Sequence, residues 1–186
     1  MTARHPFERI SPSTQKRVFW VLLLLTLCLM ATLRVLDAPL KTEAAPSGIV
    51  SFEFAGDLQL AQRMIESWDR RGQVSAGLSL GLDYLFLIAY AGSIGMGCVL
   101  IAQNASKRVK KLGTLGVLLA WALLVAGLLD MVENYALIRV LLGSQREIWP
   151  MVAKWCALPK FLIVALGLAY ILIGGVVSLL ARQGAE

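Results

Sequence analysis

Four stretches of this chain stay apolar for about the length that crosses a bilayer: 18–36, 77–102, 112–142 and 157–181. A hydrocarbon core of about 30 Å takes roughly 20 helical residues. The third stretch turns polar near one end, as Asp130-Met131-Val132-Glu133-Asn134-Tyr135. This pattern predicts an all-α protein, a four-helix transmembrane bundle. The intervening segment 37–76 is the only sizeable polar piece. Within it, residues 57–71 follow a helical period, with Leu58, Leu60, Ala61, Met64, Ile65 and Trp68 on one half of the wheel. Gln59, Gln62, Arg63, Glu66, Ser67 and Arg70 fall on the other half. Asp57 is placed to cap this helix, Glu66 and Arg70 form an i,i+4 pair, and Gly72 ends it. The expectation is an amphipathic interfacial helix lying as a lid between the first and second spans; a gate over a cavity, or a docking face, is the sharper alternative.

The rest of that segment is plainer. Residues 38–48 contain Pro39 and Pro46 and read as extended coil. In 49–54, Val50, Phe52 and Phe54 alternate at period two, which predicts a short extended segment. Residues 1–17 form a polar, basic and poorly ordered leader, and 18–186 form a single membrane domain. The first span is long for a signal sequence and reads as a retained anchor.

Composition supports the membrane reading: of 186 residues, 58% are hydrophobic and 16% charged. The net charge of +6 does not point to nucleic acid. The basic residues Arg4, Arg9, Lys16 and Arg17, and then Lys107, Arg108, Lys110 and Lys111, lie beside spans, where they orient helices in a membrane. Lys and Arg divide evenly between the two sides, so orientation rests on density beside the spans. It puts both termini in the cytoplasm, residues 37–76 outside, and the chain in the plasma (inner) membrane. Asn104-Ala105-Ser106 is then cytoplasmic and unglycosylated. Trp68, Trp149 and Trp155 read as an outer aromatic belt and Trp20 as its inner counterpart. Gly113, Gly116, Gly174 and Gly175 read as close-packing positions.

Cofactor chemistry finds little to hold on to. Cys28, Cys98 and Cys156 lack a Cys-x-x-Cys spacing, and the single histidine, His5, lies in the leader. No metal and no cofactor is expected.

The charged residues inside the spans are the candidate chemistry. Asp130, Glu133 and Asn134 share one helix face with Ala126, Gly127 and Leu137, opposite Leu128 and Val132. Asp83 shares a stripe with Ser79, Tyr90 and Gly97, with Tyr84 beside it; Lys160 shares one with Cys156, Gly167, Gly174 and Ser178. These polar and small faces are expected to meet inside the bundle, with Arg34 from the first span. At ~1.5 Å per residue, Asp83 lies ~9 Å and Asp130 and Glu133 ~13–18 Å below the outer ends, with Lys160 and Arg34 near the edge. Each such charge costs about 2.5–3.5 kcal/mol unless paired. Three carboxylates facing two cations leave one that reaches water, recruits Arg139 or Lys154, binds a cation or stays protonated.

Leu82-Asp83-Tyr84-Leu85-Phe86, Tyr90, Asp130-x-x-Glu133-Asn134 and Trp68 together resemble a group of uncharacterised bacterial four-helix membrane proteins, which implies the fold but no activity. A looser similarity is to sterol-isomerase-like membrane proteins; that chemistry needs an intramembrane histidine, which this chain lacks. Three functional readings follow. One is a non-enzymatic accessory protein, or a binder of a lipophilic or cationic small ligand, through Arg34, Asp83, Tyr84, Tyr90, Asp130, Glu133, Asn134 and Lys160. Another is an intramembrane enzyme on a lipid or isoprenoid-like substrate, with Asp83, Asp130 or Glu133 as acid and base. The third is a transporter component, which would act as an oligomer because the chain has no internal repeat. Partners expected besides the bilayer are a membrane protein or a second copy. Beside all three stands a purely structural role, in which buried ion pairs fix helix register.

Overall fold

The computed structural model describes the backbone of residues 4–105 and 110–183 and the side chains of residues 4–103 and 111–177. Lys107 and Arg108 of the basic cluster and Ser106 lie outside the described residues, as do the side chains of Lys110 and Ser178. Six α-helices account for most of the described chain: α1 Pro12–Asp37, α2 Ile49–Glu53, α3 Leu58–Ser67, α4 Arg70–Ala105, α5 Lys110–Leu141 and α6 Ile148–Gln183. Helices α1, α4, α5 and α6 are long and apolar enough to span a membrane. They pack on one another as an all-α four-span bundle, with α4 at the centre against α1, α5 and α6. The chain is thus a multi-pass membrane protein whose outward apolar side chains, such as Trp20, Leu128 and Leu162, face lipid.

Small residues let the helices approach. A side chain at Gly92 would strike Leu22 of α1, one at Gly97 would strike Ile171 of α6, and Gly116 seats the ring of Tyr170. Gly174 accepts Ile101, whereas Gly175 faces open space. Between α1 and α4, the hydroxyls of Thr26 and Ser93 meet at 3.3 Å in a buried hydrogen bond.

That bond sets the register of the two helices. Asp37 lies about 16 Å along α1 from Thr26, and Asp83 about 15 Å along α4 from Ser93. The end of α1 is therefore level with Asp83. Helix α4 continues about 20 Å further, to Arg70. The space above the end of α1 is filled by the 3-10 turn Ala38–Leu40 and by α2 and α3. The result is two hydrophobic cores. One, under α2 and α3, gathers Leu40, Phe52, Trp68, Leu80 and Leu137. The other, deeper in the spans, gathers Leu87, Ile94, Val99, Leu123 and Tyr170.

Several sequence expectations need correcting. Residues 49–54 are not extended: a lone strand would leave its backbone groups unpaired, whereas a helix pairs them internally. The Asp37 carboxylate accepts a 2.7 Å hydrogen bond from the Ile49 amide and so caps α2 from the end of α1. Gly48 makes room for this, since a Cβ there would fall on the Asp37 carboxylate, and its φ of 60° suits glycine. Helix α3 starts as expected, with Asp57 Oδ1 accepting from the Leu60 amide at 2.7 Å, but it stops at Ser67. Trp68 is extended, and Asp69 then opens α4 by accepting from the Gly72 amide at 2.7 Å. Gly72 thus lies in the first turn of α4, and Glu66 and Arg70, on different helices, form no ion pair. Trp68 is not part of an aromatic belt. It is buried edge-on against Phe52, its indole N–H donating to the Leu40 carbonyl at 2.9 Å. The leader also has structure from Arg4 on. Ser11 caps α1, Gln15 donates to the carbonyls of Phe7 and Ile10, and Phe7 packs against Gly95.

Candidate functional site

Between the two cores the facing surfaces of α4, α5 and α6 turn polar at one level. Helical spacing brings Asp130, Glu133 and Asn134 to the inner face of α5, while Leu128 and Val132 on the other face are exposed. Across from them α6 supplies Lys160, and α4 supplies Asp83 and Tyr90. Asp130, Glu133, Asn134 and Lys160 are 2%, 0%, 2% and 6% exposed, so these four are closed to water and lipid alike, while Asp83 and Tyr84 are half-buried at the edge.

The contacts are short. The Lys160 ammonium donates to Asp130 Oδ1 at 3.0 Å and to Glu133 Oε1 at 2.9 Å. Tyr90 donates its phenol proton to Asp130 Oδ2 at 2.8 Å. The Asn134 amide donates to Asp83 Oδ2 at 2.6 Å. Tyr84 stands at the edge, its hydroxyl reaching the Met131 carbonyl at 3.4 Å. Hydrogen bonds with a charged partner are about twice as strong as neutral ones, and low polarity around them strengthens them further.

A fourth carboxylate joins from the loop. Glu53, the last residue of α2, places Oε2 4.0 Å from the Lys160 ammonium. Neighbouring Phe54 stacks on Phe161 of α6 at 5.6 Å, which fixes the depth at which α2 enters the bundle. The Lys160 ammonium also lies 4.7 Å from the centre of the Phe161 ring. Burial pushes the Glu53 carboxyl up to about 7; Lys160 draws it back, while Asp130 and Asp37 push it further. Two oxygens in the group receive no hydrogen bond, Glu53 Oε2 and Glu133 Oε2. The second lies 2.8 Å from the ammonium, as part of the ion pair, without the angle of a hydrogen bond.

The structure thus brings together seven of the eight candidate residues and leaves out one. Arg34 is exposed on α1 and makes no ion pair, so the charge balance differs from the expected three carboxylates and two cations. Among the described residues it is four carboxylates around one ammonium. Arg139 and Lys154 do not redress it: Arg139 lies over the Trp149 ring at 5.8 Å, and Lys154 is exposed beside Gly56. Lys160 is the centre of the group rather than a residue at its edge, because α6 begins at Ile148, well before the apolar run. Glu53 was missed because 49–54 read as a strand. Its signal was an acid set between Phe52 and Phe54, in helical register with Ile49.

The arrangement can fix helix register, hold protons, and clamp α2 to the spans. The four spans support the coarse part of the resemblance drawn from the sequence. Beyond that, no family model, no curated protein and no solved structure matches the chain.

Proposed function

We propose that this is a non-enzymatic accessory protein of the plasma (inner) membrane, in which the Lys160 cluster latches an extracytoplasmic cap, α2 and α3, onto the spans. The observation that carries this reading is that the Lys160, Tyr90 and Asn134 donors are all directed at the cluster's own carboxylates. Lys160 serves Asp130 and Glu133, Tyr90 serves Asp130, and Asn134 serves Asp83. An acid–base site would leave one of these carboxyls facing a substrate. The basic residues beside the spans favour cytoplasmic termini, which puts the cap outside. There the polar face of α3, with Gln59, Arg63 and Glu66 exposed, is available to a membrane-protein partner or a second copy.

A second reading, a pocket for a small lipophilic or cationic ligand, is favoured by the excess of carboxylates over ammonium groups. Native mass spectrometry of the protein extracted in mild detergent separates the two. The latch reading expects wild type and Asp130→Asn each at the mass of its own sequence, with no small-molecule adduct. An adduct present in the wild type and lost in the variant would overturn it in favour of a binding site.

A further inference from the structure

Three carboxylates, Glu53, Asp130 and Glu133, converge on one ammonium, and two of their oxygens, Glu53 Oε2 and Glu133 Oε2, receive no hydrogen bond although both are buried. Both oxygens face Lys160, and the Glu53 carboxyl is within hydrogen-bonding reach of Glu133. Glu133 is fully buried and comes from a span; Glu53 comes from the cap, at the end of the short helix α2. Two ionised carboxylates in contact would repel across a medium that screens poorly. Glu53 Oε2, 4.0 Å from the ammonium, would also be left without a donor, at more than the cost of an ordinary lost hydrogen bond.

From this buried contact between two carboxyls we infer that Glu53 and Glu133 bind a single proton between them, making the cap a proton-operated latch. One proton turns a repelling pair into a donor and an acceptor: the carboxylic acid of one glutamate donates to the carboxylate of the other. The pair then carries one negative charge in place of two, beside the positive charge of Lys160. Loss of the proton restores the repulsion at the joint between α2 and the spans. The other titratable groups around the pair are Asp130, which shares Lys160, Asp37 at the other end of α2, the Tyr90 phenol of α4 and the Cys156 thiol of α6; Asp83 is a further negative charge in the same field. The three aspartates oppose a second negative charge on the pair. The upward displacement of Glu53 by burial is in the same direction. Glu53 is suited to be the moving half: α2 is short, lies between turns at Gly48 and Gly56, both at positive φ, and is held at its start by Asp37.

This inference rests on the latch reading of the cluster, so its test needs two readouts. The full chain in lipid nanodiscs is followed by infrared difference spectroscopy as pH rises from about 5 to about 9, the range that brackets a carboxyl displaced to neutrality. A carbonyl band of a protonated carboxyl is expected to disappear across neutral pH. It should be missing in Glu53→Gln and in Glu133→Gln, and present in Asp83→Asn. In parallel, hydrogen exchange of the Ile49–Glu53 amides should accelerate over the same interval beyond its intrinsic pH dependence, and should not do so in Glu53→Gln. A band unaffected by Glu53→Gln, or absent at every pH, overturns the shared proton. A band that follows sodium concentration at fixed pH also overturns it, because the pair would then hold a metal cation. Lys160→Met separates the two claims. If it frees α2 while the wild type shows no band, the latch stands and the proton falls. If the band is present but Lys160→Met leaves α2 protected, the proton stands and the latch falls.

Discussion

Replacing Lys160 by methionine removes one charge and little else. Methionine keeps the length of the side chain and much of its volume, so packing against Phe161 is largely retained. What disappears is the donor to Asp130 Oδ1 at 3.0 Å and Glu133 Oε1 at 2.9 Å, and the positive charge 4.0 Å from Glu53 Oε2. Taking one partner from a buried ion pair costs about 3–5 kcal/mol, because the charge left behind has nothing to offset its desolvation. Here several carboxylates are left, so the upper part of that range applies at neutral pH. The stranded acids can take up protons, so the loss should shrink as the pH is lowered. Against a total stability of about 5–15 kcal/mol, this is a severe change. The assay is reversible unfolding from mixed micelles by a denaturing detergent, followed by circular dichroism at several pH values. Lys154→Met is the control: that side chain is exposed, and its loss should stay within about 0.5 kcal/mol. Replacing the set together, as Lys160→Met with Asp130→Asn, Glu133→Gln and Glu53→Gln, should recover much of the loss. A Lys160→Met protein within about 1 kcal/mol of wild type at neutral pH refutes the reasoning, since a buried pair broken on one side cannot be that cheap.

Other expected outcomes follow from single contacts. Tyr90→Phe leaves Asp130 Oδ2 without a donor and should destabilise by about 1–3 kcal/mol in the same unfolding assay. Gly48→Ala places a methyl group on the Asp37 carboxylate at a backbone angle that suits glycine, and should cost about 1–3 kcal/mol, read as a lowered melting temperature. Glu53 has its carboxyl moved from 4.5 up to about 7, so its contribution to stability is full below the lower value and is lost as pH climbs through the higher one. The wild type should therefore lose on the order of 2–3 kcal/mol relative to Glu53→Gln as pH rises across that interval; a difference of opposite sign would contradict the assignment.

The four spans and the inner face of α5 were legible because they depend on local periodicity, which burial in any bundle must respect. Asp130, Glu133 and Asn134 point inward for the same reason that Leu128 and Val132 point outward. The start of α3 at Asp57 was legible through capping chemistry. What escaped was set by contacts distant in sequence. The helicity of α2 depends on an aspartate from the end of α1, and only as a helix does it direct Glu53 at Lys160. Trp68 reads as an interfacial residue until the Leu40 carbonyl is brought beneath it. Arg34 is in the wrong place because α1 packs chiefly on α4 among the spans, which no pattern within α1 reveals.

The central claim is that one ionic cluster fastens α2 and α3 to the spans. Hydrogen exchange over the whole chain, comparing wild type with Lys160→Met in nanodiscs at neutral pH, tests it most directly. The account predicts that protection falls in Ile49–Glu53 and Leu58–Ser67 and is kept around Ile94, Val99 and Leu123 in the deeper core. Unchanged protection in α2 and α3, or an equal loss everywhere, would contradict it.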